Sequence, residues 1–208
     1  MKAQEKLSTC QESACGPRKN AAQRVFETAC ELFYRRGVRA VGVDEICCEA
    51  GVTKPSLYRS YASKDDLVAA CLEHYAEDAW TQIDAAITAA GDDPHDQLRA
   101  FIDHYAQQMS EPDFRGCPMA NTAVEFPETG HPGRPILEEC KIELRARLVE
   151  LTRRLPVTDP ETLADGLLLL IEGAYSTHHI FGTQGPAQSM VRAAEALVKA
   201  YTKTPARA

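Results

Sequence analysis

Residues 43–60 read VDEICCEAGVTKPSLYRS, and this stretch decides the fold of the N-terminal part of the chain. Two short runs with helical spacing of apolar residues lie on either side of the tetrapeptide AGVT at 50–53. Gly51 permits the left-handed backbone that turns the chain, and Thr53 is suited to cap the first turn of the second helix. Pro55 is tolerated there because first-turn N–H groups have no partner within the helix. The pattern is typical of a helix-turn-helix unit, although a plain structural corner has the same spacing.

The sequence around this unit is helical throughout and carries no hairpin signal. An apolar stripe with Asn20 as cap predicts a helix from residue 18 or 21 to 36, and Ser63 begins another that continues to about Ala90. Further helices are predicted near 95–110, 118–126, 135–154, 160–182 and 186–202. The fold class is therefore all-α. We expect a flexible arm at 1–17, a three-helix unit that contains the helix-turn-helix at 18–64, and a larger helical domain at 65–208.

The distribution of charge favours a polyanion partner at one end of the molecule. The chain has 208 residues and a formal net charge of −7. Residues 1–64 contain 11 basic and 7 acidic side chains, whereas residues 65–208 contain 12 and 23. A basic head on an acidic body is the pattern of a protein that presents only the head to nucleic acid.

Specific residues then point to a family. The motif positions are Ala29, Leu32-Phe33, Gly37, Ile46, Ala50-Gly51-Val52, Lys54-Pro55-Ser56-Leu57-Tyr58 and Ser63-Lys64-Asp65-Asp66-Leu67. About 50 residues that contain them resemble the DNA-binding domain of the tetracycline-repressor (TetR) family. The resemblance implies a regulator, most simply a repressor, that binds a palindromic operator as a dimer and is released by a small-molecule inducer. It also implies that the chain is not an enzyme.

The resemblance assigns DNA contacts position by position. Lys54, Pro55 and Ser56 lead the recognition helix, where they can meet base edges or phosphates. The whole predicted set is Thr53, Lys54, Pro55, Ser56, Tyr58, Arg59 and Lys64. One stretch departs from the family pattern, because AVGV at 40–43 has no Thr or Ser before the second helix. Asp44 and Glu45 would repel phosphate there, and Arg59, Arg39 or Lys19 would have to compensate.

The C-terminal helices suggest a dimer. The 160–182 helix is apolar around most of its circumference, so we expect it to be buried on two sides. The last helix has an apolar stripe made of Met190, Ala194, Leu197, Val198 and Tyr201. The two helices together are interpreted as a four-helix seam between protomers, with an internal core as the alternative.

The family body encloses a small-molecule pocket, and polar and aromatic residues interleave in this one. The candidate ligand residues are Phe101, His104, Tyr105, Gln108, Cys117, Asn121, Phe126, Tyr175 and His178. Ordinary core packing is the alternative for each of them. The adjacent pair His178-His179 does not suit a metal, since neighbouring side chains on a helix point about 100° apart, and no metal or other cofactor is expected.

The position of Cys117 indicates an alternative function for the protein. It stands at a predicted loop-to-helix junction beside Arg115, where a thiol is more readily ionised. The protein is therefore alternatively a repressor that senses electrophiles or oxidants through Cys117. A DNA-binding protein without a ligand and a Cys117 enzyme with His104 or His131 as base are weaker alternatives.

Composition bounds the location. The unbroken apolar runs, such as 167–171, are far short of the roughly 20 residues of a membrane span. The N-terminal residues contain no apolar signal segment, so a cytoplasmic protein is expected. The eight cysteines would then lie in a reducing compartment, where structural disulfides are rare.

Overall fold

The computed structural model describes residues 20–128 and 130–203, so the predicted arm at 1–17 and Lys19 lie outside the described residues. Within these ranges the chain forms nine α-helices and two short 3-10 turns at 182–184 and 186–189. The helices are α1 (Ala21–Arg36), α2 (Val43–Ala50), α3 (Lys54–Ser60), α4 (Lys64–Ala89), α5 (Pro94–Gln108), α6 (Pro118–Glu125), α7 (Gly133–Arg153), α8 (Pro160–Phe181) and α9 (Met190–Tyr201). The predicted all-α class is confirmed.

Local signals in the sequence explain the helix ends. The side chains of Asn20, Ser63 and Asp93 each accept a hydrogen bond from an N–H of the first turn that follows. Gly37 and Gly51 end α1 and α2 with positive φ angles of 87° and 63°, a backbone conformation that costs glycine little. These caps place each boundary within a few residues of its predicted position.

The buried apolar side chains form two cores. The head core lies among α1, α2, α3 and the first turns of α4, and its fully buried members include Val25, Ile46, Leu57 and Leu67. Met119 of α6 also belongs to it. The body core lies among the later part of α4, α5 and α7 to α9. Because α4 contributes to both cores, it is a continuous element that joins them, and α7 joins them too, with Leu137 in the head core and Leu144 in the body core.

The last helix packs inside the protomer. Met190 and Ala194 of α9 are buried against the body core, and Leu197 approaches α8 so closely that a Cβ at Gly166 would lie 2.8 Å from its Cδ2 atom. The apolar stripe of α9, which the sequence suggested for a seam between protomers, is therefore used by the protomer's own core. The reason is that α9 covers α5 and α8, which would otherwise expose apolar surface.

Apolar side chains remain exposed on α6 at Val124, on α7 at Ile142 and on α8, where two of them lie along one face. Leu169 and Ile180 are 73% and 77% exposed. They share one face with Gly173 and Ser176, because the four positions follow the i, i+4, i+7, i+11 spacing of a helix. We call Leu169, Gly173, Ser176 and Ile180 the α8 stripe.

Candidate functional site

The turn between α2 and α3 fixes the helix-turn-helix geometry. The Gly51 N–H donates to the Cys48 carbonyl at 3.2 Å, and the Val52 N–H donates to the Cys47 carbonyl at 3.0 Å. Ile46 and Leu57, both 0% exposed, pack the two helices onto the head core. The turn and the packing together hold α3 with one face inward and the other in solvent.

The start of α3 differs in one detail from the expectation. Thr53 occupies the N-cap position, but its hydroxyl makes no capping hydrogen bond. Its carbonyl instead accepts from the N–H groups of Ser56 at 2.9 Å and Leu57 at 3.1 Å. Thr53 is exposed and its hydroxyl is not used for capping, as a phosphate contact through that hydroxyl would require.

The outer face of α3 carries most of the predicted DNA contacts. Lys54, Pro55, Tyr58 and Arg59 are all exposed, and Tyr58 retains 48% of its accessible surface. Tyr58 is therefore not the packing residue that its apolar ring would otherwise suggest. Ser56 is half-buried and accepts a hydrogen bond from Arg59 Nη2 at 3.3 Å. The face is polar and cationic, as a surface that meets DNA needs to be.

Two ion pairs neutralise Asp44 and Glu45, the carboxylates in the first turn of α2. Lys54 Nζ lies 2.7 Å from Asp44 Oδ1, and Arg36 pairs with Glu45. The hydrogen bond and the charge of Asp44 raise the pKa of Lys54. The repulsion expected from Asp44 and Glu45 is thus offset within the free protein. Gly42 caps α2 without any side-chain hydrogen bond.

Lys64 differs from the other predicted contacts because its charge points into the head. Its Nζ donates to the Val38 carbonyl at 2.6 Å and lies 5.7 Å from the ring centroid of Phe33. Burial lowers the pKa of this ammonium group. In this arrangement Lys64 ties the start of α4 to the turn between α1 and α2.

A second set of contacts joins this head to the body at α6. The Glu125 carboxylate accepts hydrogen bonds from the N–H groups of Val38 at 3.0 Å and Arg39 at 2.7 Å. The Tyr34 hydroxyl accepts from the Arg115 N–H at 2.8 Å. The loop before α6 and its last residue therefore both hold the C-terminal end of α1. We call this set of contacts the α6 seam.

The body contains a small chamber that brings together five predicted ligand residues. Its volume is about 40 Å³. The predicted members are His104, Tyr105, Gln108, Cys117 and Tyr175. The Tyr175 hydroxyl bonds to Gln108 Oε1 at 2.5 Å, and the rings of Tyr105 and Tyr175 are 5.6 Å apart. Burial raises the pKa of Tyr105 and Tyr175. Drug-sized ligands need pockets of several hundred Å³, so the chamber in this conformation is too small to hold one.

The other four predicted ligand residues lie outside the chamber. Phe101 is fully buried in the body core, and His178 packs edge-on against Phe114 at 4.9 Å. Phe126 stacks on His131 at 4.3 Å beside the head. Asn121 lines a different cavity, described below. Helical spacing places a residue on a face but does not show which neighbouring helix covers that face, so the sequence did not separate these four from the rest.

A charged pair in the chamber escaped sequence analysis. Lys141 Nζ lies 3.4 Å from Cys117 Sγ and also bonds to Glu172. Burial lowers the pKa of Lys141, but the nearby Cys117 and Glu172 outweigh this effect and raise it overall. Glu172 follows directly on the apolar run 167–171. A carboxylate directly after an apolar run indicates a partly buried charge that needs a partner.

Cys117 stands at the N-cap of α6, as its loop-to-helix position predicted, and is half-buried. Its neighbour Cys140 also lines the chamber, and burial raises the pKa of that thiol to about 11. Of the two bases considered for an enzyme, His104 lines the chamber with Cys117, whereas His131 lies beside Asp65 at 3.8 Å.

A larger cavity of about 560 Å³ lies between head and body. Its walls come from α1, α4 and α6, and Tyr34, Tyr75 and Asn121 are among the residues that line it. We call it the seam cavity. No sequence pattern predicted it, because its lining residues are distant in the chain, from Cys30 of α1 to His179 of α8.

The described residues contain no cluster of His, Cys, Asp and Glu that is suited to a metal ion. None of their helices is long and apolar enough to cross a bilayer.

Comparisons with known proteins place this architecture. The profile of bacterial regulatory proteins of the tetR family matches residues 25–71, and that of the tetracyclin repressor-like C-terminal domain matches residues 94–194. A TetR-family transcriptional regulator from Streptomyces coelicolor has the same fold, with a TM-score of 0.80 and 27% identity over 88% of this chain and 96% of its own.

Curated relatives agree on the class of protein. The transcriptional activator FasR of Mycolicibacterium smegmatis is 34% identical over 98 residues, which span 44% of each protein. A transcriptional repressor of Mycobacterium tuberculosis is 23% identical over 131 residues, or 63% of this chain and 66% of that protein. This chain thus spans less than half of the length of FasR. Both relatives are regulators rather than enzymes, and the two family profiles together span most of the sequence. The chain therefore belongs to the TetR family of helix-turn-helix transcriptional regulators.

Proposed function

We propose that this protein is a dimeric repressor that binds a palindromic operator and is released by a small molecule. The exposed face of α3 carries the proposal. Its cationic and hydroxyl side chains project from a helix that the Gly51 turn and Leu57 fix onto the head core. In a two-fold dimer, two such helices would enter successive major grooves about 34 Å apart. A regulator of this kind acts where the chromosome is, in the cytoplasm.

The proposed DNA contacts fall into two groups. Lys54, Pro55 and Ser56 lead α3 and are assigned to base edges or to the first phosphate. Tyr58 and Arg59 stand one turn later, where they suit the backbone. Lys64 joins the second group only if its bond to the Val38 carbonyl opens on the operator. In the free protein, Lys64 therefore supports the head rather than the interface.

The dimer is assigned to α8 with a contribution from α9. The α8 stripe exposes Leu169 and Ile180 on either side of Gly173 and Ser176, whose small side chains allow two helices to approach closely. The face of α9 that points away from the core adds a polar rim. Large exposed apolar side chains in one stripe favour a protein–protein contact, and a two-fold axis through α8 pairs the stripe with itself.

Release by a ligand requires that the body and the head be coupled. The chamber around Tyr105 and Tyr175 is the proposed ligand site, which opens as the ligand enters. Two of the structural routes from it to the head are proposed to carry the coupling. One is α4, which is shared by both cores, and the other is α6, whose two ends carry Cys117 in the chamber wall and Glu125 on the head. A ligand shifts the head spacing only as far as it binds one arrangement better than the other.

Repression is the simpler mode for an operator-bound dimer that an inducer removes. The named relatives include both an activator and a repressor. Membership of the family therefore does not by itself decide between repression and activation, and repression is our proposal. A reporter gene placed under the protein's own promoter region would distinguish the two. Deletion of the regulator should raise expression from the reporter, whereas a fall would indicate activation.

Operator binding is tested by titration of a palindromic site taken from the DNA next to the coding region. Lys54→Ala and Tyr58→Phe should each weaken binding, because a lost bidentate base contact costs about 1–3 kcal/mol. A lost phosphate contact should lower the salt slope by about one. Lys203→Ala, on the body, is the matched control and should bind as the native protein does. Unchanged affinity in both α3 variants would overturn the assignment.

The second candidate is a repressor that senses electrophiles through Cys117. One observation favours it: the ammonium group of Lys141 lies 3.4 Å from Cys117 Sγ. A fixed cation beside sulfur stabilises the thiolate, which is the form that attacks electrophiles. Modification would add bulk to a chamber of only about 40 Å³ and would push directly on the start of α6.

A further inference from the structure

Two cysteines of the head core form a disulfide. Cys30 of α1 and Cys71 of α4 are paired, with their Cα atoms 5.3 Å apart. This separation lies within the range of about 4.4–6.8 Å that disulfides require. The other cysteines of the described residues, Cys47, Cys48, Cys117 and Cys140, are free thiols. The pair differs from the expectation that structural disulfides are rare in this protein.

The disulfide closes a covalent ring around the DNA-binding unit. The two cysteines are 41 positions apart, and the segment between them contains the rest of α1, all of α2 and α3, and the start of α4. A cross-link of this kind removes conformational freedom from the unfolded segment. It also fixes α1 against the helix that leads into the body.

Small reagents can reach the pair. Cys30 and Cys71 both line the seam cavity of about 560 Å³. Cys30 is half-buried, whereas Cys71 is buried with 8% of its surface exposed, so a reagent in the cavity meets the sulfur of Cys30 first. The volume falls within the range that accommodates small ligands. Disulfides that solvent and thiols can reach are the ones that exchange, whereas enclosed ones persist.

We propose that Cys30 and Cys71 are a reversible modification site, a thiol–disulfide couple set by low-molecular-weight thiols and their disulfides. In oxidation, one thiolate attacks a sulfur of the small disulfide, forming a mixed disulfide and releasing one small thiolate. The second cysteine, as its thiolate, then attacks the protein sulfur of the mixed disulfide and releases the second small thiolate. Two protein thiols are oxidised, one small disulfide is reduced to two thiols, and two protons pass from the protein thiols to the products.

The modification changes how firmly the head is held. In the reduced protein α1 stays on α4 without a covalent link, so the helix-turn-helix unit opens locally at a lower cost. In the oxidised protein the same opening is limited by the cross-link. This consequence for operator binding rests on the proposed function, but the couple itself does not.

Peptide mapping tests the couple on the native full chain. The protein is equilibrated with either oxidised or reduced glutathione, free thiols are blocked with N-ethylmaleimide, and a non-reducing digest is analysed by mass spectrometry. We expect a linked Cys30–Cys71 peptide in oxidised glutathione and two blocked cysteines in reduced glutathione. Free thiols in both conditions, or a link that survives reduced glutathione, would overturn the proposal. This measurement needs no variant.

Thermal unfolding gives the second readout. Oxidation should raise the unfolding midpoint of the native protein by about 5 °C or more, as expected for a closed ring of this length. The double variant Cys30→Ser/Cys71→Ser should show no redox shift, while Cys48→Ser, an exposed cysteine of α2, should shift like the native protein. An equal midpoint in both redox states would refute the role of the cross-link.

Operator titration separates this inference from the proposed function. At low temperature both redox forms should bind, and near the midpoint of the reduced form only the oxidised one should retain the operator. Failure of both forms to bind at low temperature would count against operator binding, and the mapping result would stand. Equal loss of binding on heating would count against the cross-link as a control of the head.

Discussion

The carboxylate of Glu125, the last residue of α6, accepts a hydrogen bond from the backbone N–H of Arg39 at 2.7 Å. Its other oxygen accepts from the N–H of Val38 at 3.0 Å. Gly37, immediately before them, has a φ of 87°, and a Cβ there would lie 2.9 Å from the carboxylate. A body side chain thus completes the turn between two helices of the head, so a movement of α6 reaches the DNA-binding unit directly.

Glu125→Ala should lower the free energy of unfolding by about 1–2 kcal/mol, because two backbone donors lose a charged acceptor. It should also reduce the effect of inducer on operator affinity, since one of the two routes between body and head is cut. Urea unfolding and operator titration with and without inducer measure the two effects. Glu128→Ala is the control, because Glu128 pairs with the side chain of Arg39, at 3.5 Å, rather than with its backbone. A native response to inducer in Glu125→Ala would leave α4 as the route.

Leu169→Glu should convert the dimer to monomers, because a buried carboxylate without a partner is strongly unfavourable in an apolar interface. Leu169 is 73% exposed in the protomer, so the fold should tolerate the change. Sedimentation velocity at micromolar concentration measures the assembly. Val124→Glu changes another exposed apolar side chain, 83% exposed on α6, and should stay dimeric. If Leu169→Glu and Val124→Glu are equally dimeric, the α8 stripe is not part of the dimer interface.

Alkaline pH should destabilise the protein through its buried tyrosines. Burial raises the pKa of Tyr75, Tyr105 and Tyr175 above the ordinary value, which is about 10. Above pH 10 the unfolded chain releases these protons while the folded chain keeps them. The stabilisation is therefore complete below pH 10 and is lost as the pH rises above it.

Tyr175→Phe should flatten this dependence by up to about 1.4 kcal/mol per pH unit, the value for one proton. Denaturant unfolding between pH 9 and 11 gives the slope, which is independent of the cost of losing the bond to Gln108. Tyr58→Phe, at an exposed tyrosine, should keep the native slope. The same slope in Tyr175→Phe and the native protein would contradict the argument.

Lys141→Met should slow the alkylation of Cys117 by iodoacetamide by about tenfold, because the thiolate loses its adjacent cation. Lys141→Arg retains the charge and should react at nearly the native rate. Peptide mass spectrometry follows Cys117 separately from the other thiols. If electrophile releases native protein from the operator but does not release Cys117→Ser, the second candidate function gains support. Equal rates in Lys141→Met and native protein would show that Lys141 does not activate the thiol.

The sequence by itself determined the helices and the helix-turn-helix unit. Caps such as Asn20 and Ser63, breakers such as Gly37 and Gly51, and the 3.6-residue apolar period act within a few residues of one another. Their effect on the backbone is therefore local and can be predicted from the sequence. The family motif added the face of α3, since a short helix anchored by Leu57 has only one side left for solvent.

Only the tertiary structure decided which of these faces meet. Three contacts join residues at least 24 positions apart: the disulfide of Cys30 with Cys71, the contact of Lys141 with Cys117, and the hydrogen bond of Glu125 with Arg39. The same holds for α9, whose stripe had two possible partners and packs on its own protomer. Helical periodicity specifies the direction in which a side chain points from the axis of its helix. The packing of helices against one another decides which residues of a neighbouring helix it contacts. The site and its coupling therefore depend on packing that no local pattern encodes.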